Sequence, residues 1–144
     1  MVPAVERNTG GSQLGAHKWS VMGVAAAITS VIAVLIVRAL ALAIWPDAAS
    51  FQPLDSVARA AVFTAVPALV ATGVLGWLSS RREDPVAAFL WIAAVVLVLS
   101  FIPDYVLPLA NKTILGSTVA AFLHVVAAVA IVGVLVTGYR RQTG

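Results

Sequence analysis

The chain has 144 residues, 61% of them hydrophobic and only 10% charged, with a mean hydropathy of +1.01, so it carries too few ionisable groups to coat a soluble domain of its size. Composition of this kind belongs in a membrane. The formal charge of +3 would suggest nucleic acid only if basic residues clustered among aromatics, and they do not, while the absence of cysteine excludes a disulfide framework and a thiolate metal site.

Residues 1–18, "MVPAVERNTGGSQLGAHK", are polar and glycine-rich and are expected to form a disordered cytoplasmic tail. Four segments then meet or approach the roughly 20 apolar residues that a spanning helix needs. They cover about 19–45, 56–78, 85–102 and 112–138, and together define a membrane domain over 19–139, with 140–144 as a second cytoplasmic tail. The first segment follows a basic tail and contains "ALA" at Ala41–Ala43, as a cleaved signal would. Its uncharged run Val21–Val37 exceeds the roughly 7 to 15 residues of a signal's apolar region, so a retained span is expected. Asp55 is read as the N-cap of the second helix, Asp84 and Pro85 open the third, and Pro103 closes it.

Lysine and arginine next to spans set orientation. With the N-terminus inside, Arg7, Lys18, Arg81, Arg82, Arg140 and Arg141 are cytoplasmic, whereas the outer loops "PDAASFQPLD" and "PDYVLPLANK" offer only Lys112. The expected fold is therefore all-α: a four-helix transmembrane bundle, up-down-up-down, both termini cytoplasmic, multi-pass in the cell membrane. Anionic lipid is a sufficient partner for the inner excess of charge, and no nucleic-acid partner is expected. Small residues such as Gly23, Ala27, Gly76, Gly116 and Ala120 offer the close backbone approach on which helix association in lipid depends.

Four polar residues stand out as binding or structural candidates: Arg38, Arg59, Asp104 and His124. Arg38 lies seven residues before Trp45, about 10 Å along a helix. Its first reading is a side chain that snorkels to lipid phosphates. A second reading places it in a polar rim with Arg59, Asp55, Asp104 and Lys112, where Asp104 is its expected ion-pair partner, because a guanidinium fork suits a carboxylate. Asp55 and Arg59, at i and i+4, form a local pair.

His124 falls among Ser117, Ala120, Ala121, Ala127 and Ala128, a narrow face expected to point into the bundle. No acidic residue lies inside the four segments as drawn, so His124 has no relay partner and a proton-coupled antiporter is disfavoured. Its expected role is packing, with the ring donating to Ser30 or to the carbonyl of Phe63, which Pro67 deprives of its helical donor. Axial ligation of a haem is the alternative. No zinc-binding H-E-x-x-H, phosphate-binding loop or dinucleotide fingerprint occurs.

The second half, "LVLSFIPD" leading on to "TVAAFLHVVAAVAIV", resembles a family of short four-span bacterial integral membrane proteins of unknown function, found mainly in actinobacteria. Its members carry a serine near the outer end of helix 3 and a histidine among small apolar residues in helix 4, positions taken here by Ser100 and His124. The resemblance implies a four-helix membrane bundle and supplies no reaction.

The function expected from sequence is that of a non-enzymatic accessory or scaffold protein acting through helix packing or lipid contact, with a protein partner or a second copy of itself. Two alternatives stand beside it. One is a small oligomeric anion transporter or channel drawing its ion through Arg38 and Arg59, and the other is a binder of a lipophilic cofactor such as quinone or haem through His124.

Overall fold

A computed structural model describes residues 14–144. Four helices account for most of it: α1 (Ala16–Ile44), α2 (Val57–Ser79), α3 (Pro85–Val106) and α4 (Ile114–Thr143), with two short 3₁₀ turns, Pro46–Ser50 and Gln52–Leu54, between α1 and α2. There is no strand among the described residues. The disorder expected of the N-terminal tail falls largely on residues 1–13, outside those described, and α1 already begins at Ala16.

All four helices are long and apolar enough to cross a membrane. Their side chains are distributed as lipid requires. Along α1, Val21, Val24, Ile28, Ile32, Ile36, Leu40 and Ile44 are each more than half exposed, whereas the opposite face buries Met22, Gly23, Ala26, Ser30 and Val34. Branched aliphatics outside and small or polar residues inside invert the pattern of a water-soluble helix, and suit a bundle held by close packing in an apolar solvent. The chain is thus a multi-pass helical membrane protein.

Three of the four helix starts are capped by their own sequence. Ser56 accepts from the Arg59 amide at 3.2 Å, Asp84 from Ala87 at 3.0 Å with Pro85 at the first position, and Thr113 from Gly116 at 2.9 Å. The α2 cap is therefore Ser56 and not Asp55. A capping residue needs an extended backbone, which Ser56 has (φ −129°, ψ 125°), whereas Asp55 (φ −73°, ψ −21°) still belongs to the preceding turn.

A second difference is at Pro103, which does not end α3: the helix runs three residues further, to Val106. Proline removes only its own amide donor, the one the Leu99 carbonyl would use, and the carbonyls left open beyond it at the helix end find a donor in a side chain. Lys112 Nζ donates to the carbonyl of Tyr105 and, at 3.3 Å, to that of Leu107. A cation there also complements the helix C-terminus.

α1 packs chiefly on α4 and α2, and α3 chiefly on α4. Where α1 begins and α4 finishes, called here the terminal end, Trp19 stacks on Tyr139 with ring centroids 6.0 Å apart. All four helices feed one core there, through Met22 and Ala26, Leu75 and Leu78, Phe89, and Ile131 and Leu135. Gly23 lets α1 approach α2, since a Cβ at that position would sit 3.2 Å from the Thr72 side chain.

Candidate functional site

The opposite end is built differently. The segment between α1 and α2 folds inward: Ala48, Phe51 and Leu54 are buried to 2% exposure or less and pack with Val34, Ala41, Val119, Ala120 and Leu123. Phe51 seats directly over Gly116, where a Cβ would lie 3.0 Å from its ring. This connection is a plug, not a surface loop. It is tied to the α3–α4 connection by Gln52 N donating to Ala110 O (3.2 Å) and Asn111 Nδ2 donating to Ser50 O (3.0 Å), with Asn111 in the left-handed conformation, φ 53°, that asparagine tolerates.

The plug explains Arg38. Its Nε donates to the carbonyl of Leu54 at 3.1 Å and its Nη2 to the same oxygen. A carbonyl buried at the end of a 3₁₀ turn has no helical donor, and Arg38 supplies it. The ion pair expected between Arg38 and Asp104 is not formed. Arg59 does take its expected local partner: Nη1 lies 2.6 Å from Asp55 Oδ1 and also donates to the carbonyl of Gln52. Both arginines thus hold the plug in place.

Asp104 goes elsewhere. Because α3 continues through Pro103, Asp104 stands inside the helix, 3% exposed, and turns toward α4. Its Oδ2 lies 3.4 Å from His124 Nδ1, beyond a good hydrogen bond, and accepts none. Its backbone carbonyl accepts from the buried Ser117 hydroxyl at 2.6 Å, which locks α3 against α4 at this level. Two sequence-based expectations are corrected here: one helix long enough to span does contain an acidic residue, and His124 does have a carboxylate neighbour. His124 also does not donate to Ser30 or to Phe63. Its Nδ1 lies 2.8 Å from the carbonyl of Ala120 in its own helix, and Ser30 Oγ donates to Ala27. Phe101 meets the imidazole edge to face, centroids 6.5 Å apart.

Asp104, His124 and Arg59 line one cavity of about 460 Å³. Val34, Leu54, Phe63, Leu109, Leu123 and Ala127 supply much of its apolar wall, and Gln52, Thr64 and Ser100 its other polar groups. Every helix and the plug contribute. Of the four candidate residues, three therefore meet at one cavity, and Arg38 braces its wall from behind through Leu54. Gln52, Thr64 and the plug itself were missed by sequence reasoning. Among the described residues no three metal-ligating side chains come together.

Fold and site together define a small helical membrane protein with a largely apolar cavity among its spans, edged by a few polar groups. A family of unknown function, DUF6069, has a model that matches residues 11–141, and the chain belongs to that family. No curated protein and no solved structure matches the chain.

Proposed function

We propose that the chain is a non-enzymatic protein of the cell membrane that holds a lipophilic ligand in the cavity between its helices and the plug. The observation that carries this reading is the cavity with Asp104 at its wall: about 460 Å³, largely apolar, with a carboxylate oxygen that is buried and unpartnered. The volume falls within the range of roughly 300 to 1,000 Å³ usual for small-molecule sites. A protein that acted by packing alone would gain by closing such a space, because contact between side chains is what holds helices together in lipid. The accessory or scaffold role rests on packing and gains nothing from the cavity.

The anion-channel reading loses support, since Arg38 and Arg59 are both committed to carbonyls of the plug and Arg59 also to Asp55. An enzymatic role finds no activated nucleophile: the Ser100 and Thr64 hydroxyls both donate to carbonyls of their own helices. Membrane lipid is the proposed partner and the medium from which the ligand enters.

The proposed topology is up-down-up-down with both termini cytoplasmic. Six basic residues flank the spans on the side so assigned, and the Trp19–Tyr139 stack puts the start of α1 beside the end of α4. The chain has no cysteine, so single substitutions report cleanly. Ala49→Cys is expected to react with an impermeant maleimide in intact cells and Thr143→Cys only after lysis; the reverse order would invert the assignment.

For the binding reading, native mass spectrometry of gently extracted protein should show a retained small molecule. The Ala127→Phe variant, which fills the cavity, should lose it while remaining folded. A wild-type protein that releases nothing bound, across several mild detergents, would sink the proposal.

A further inference from the structure

The hydrogen-bonding capacity left open around the cavity is of one kind. A carbonyl can only accept, so His124 Nδ1, 2.8 Å from the Ala120 carbonyl, carries the ring proton. In the Nδ1–H tautomer Nε2 is left as an acceptor, and it has no partner among the described residues. Ser100 spends its single hydroxyl hydrogen on the Leu97 carbonyl at 2.6 Å, and Thr64 spends its own on Ala60 at 2.8 Å. Each retains acceptor capacity. The Asp104 carboxylate accepts from no protein donor, and the Nδ1 proton nearest to it is already engaged. Among the described residues that line the cavity, spare donors come from Gln52 in the plug and Arg59 at the start of α2.

Charge tells the same story. No lysine or arginine engages Asp104 among the described residues: Arg38 is held by Leu54, Arg59 by Gln52 and Asp55, and Lys112 by Tyr105 and Leu107, and the one group within ion-pair reach, His124 Nδ1 at 3.4 Å, is already directed to the Ala120 carbonyl. A buried carboxylate needs a positive partner or donated hydrogen bonds, and the protein supplies neither in good geometry. The missing partner has to be a donor, and a positively charged one answers both needs at once.

We propose that the cavity takes a lipophilic ammonium: a primary amine on an alkyl or aryl body, its N–H groups directed to Asp104 with Ser100, Thr64 and His124 Nε2 as further acceptors, and its body against Phe63 and Leu123. This rests on the reading of the cavity as a ligand site. It adds the chemical class, because a carboxylate, phosphate or quinone ligand would find donors only at Gln52 and Arg59 and would leave Asp104 facing further acceptors.

The test uses the purified full chain in detergent and four probes with the same twelve-carbon tail: dodecylamine, dodecanol, dodecanoic acid and N-dodecylacetamide. Thermal unfolding is followed with each. Dodecylamine is expected to raise the Tm by several degrees and to bind at least tenfold more tightly than the other three, and the effect should vanish in Asp104→Asn, whose own Tm without probe shows that it folds. If Asp104→Asn retains the full shift, the amine is acting on the micelle and the inference falls. Should that variant fail to fold, amine against acetamide on the wild type decides, since the two differ at the head and not the tail. Equal or tighter binding of dodecanol or dodecanoic acid would overturn the ammonium while leaving the cavity a ligand site. If no probe shifts the Tm, both readings fall.

Discussion

The two ends of the bundle solve the same packing problem with different parts. At the terminal end each helix contributes buried side chains to one apolar cluster, and no ionisable group is included. At the other end the cluster is made by α1, α4 and the plug, with no member from α2 or α3. α3 shows the change most plainly: it buries Pro85, Val86 and Phe89 in its first turns and then nothing until Asp104. The cavity opens in that gap: Ala60, Phe63 and Thr64 of α2 and Ser100, Pro103 and Asp104 of α3 line it, with Leu123, His124 and Ala127 of α4, and Gln52 and Leu54 of the plug complete its wall.

That contrast predicts unequal and partly opposite responses to mutation. The largest loss is expected in the shared core. Leu135 is fully buried there, and Leu135→Ala should cost about 3 kcal/mol in a global unfolding measurement such as denaturant titration in mixed micelles. Phe51→Ala removes an equally buried and larger group, yet its global cost should be nearer to about 2 kcal/mol, because the plug can detach locally and leave the helices in place. Its distinctive mark should be faster amide exchange over residues 46–55. If exchange speeds up evenly through all four helices instead, the plug is part of the same cooperative unit and the distinction between the two ends fails.

Asp104→Asn should run the other way. The substitution discharges a buried carboxylate that has no good hydrogen bond, and His124 Nδ1 keeps its own carbonyl, so no charge is stranded. A gain of about 1 kcal/mol is expected in the absence of ligand. Stability would then be lost in the natural chain at the site proposed to bind, as is usual where a buried polar group serves function. A loss of several kcal/mol would instead make Asp104 a structural partner of His124.

How far these features could be read in the sequence depends on whether they are local. Hydropathy alone marks four helices, because a run of some 20 apolar residues has few other fates. Asp84 with Pro85 and the i, i+4 pair of Asp55 and Arg59 are also legible, since both partners lie within one turn. Arg38 is the contrary case. Its partner is the Leu54 carbonyl, 16 residues away, and a backbone oxygen leaves no mark in the letters. The Asp104–His124 contact is hidden by a rule applied too strictly: proline as a helix stop removes Asp104 from α3. The residues after it, "YV", are compatible with one more turn. The plug is hidden by composition, because "PDAASFQPLD" reads as a solvated loop while its Phe51 and Leu54 are as buried as any core residue. The cavity follows from how α2, α3 and α4 pack and from the path of the plug, which are tertiary facts.

The smallest effect should come from the most conspicuous electrostatic contact. Arg59 and Asp55 approach to 2.6 Å, but their side chains are 38% and 43% exposed, and exposed pairs of this kind contribute about 0.5 kcal/mol. Asp55→Asn also leaves the bond from Arg59 to the Gln52 carbonyl intact, so the plug keeps its tether. The expected loss is therefore about 0.5 kcal/mol or less, diminishing further in high salt as screening shortens the reach of surface charges. Phe51→Ala is the reference for this measurement. Were Asp55→Asn to match it, the plug would be held by charge and not by the seating of Phe51 over Gly116, and the loop end would have to be understood as an electrostatic clasp with an apolar lining.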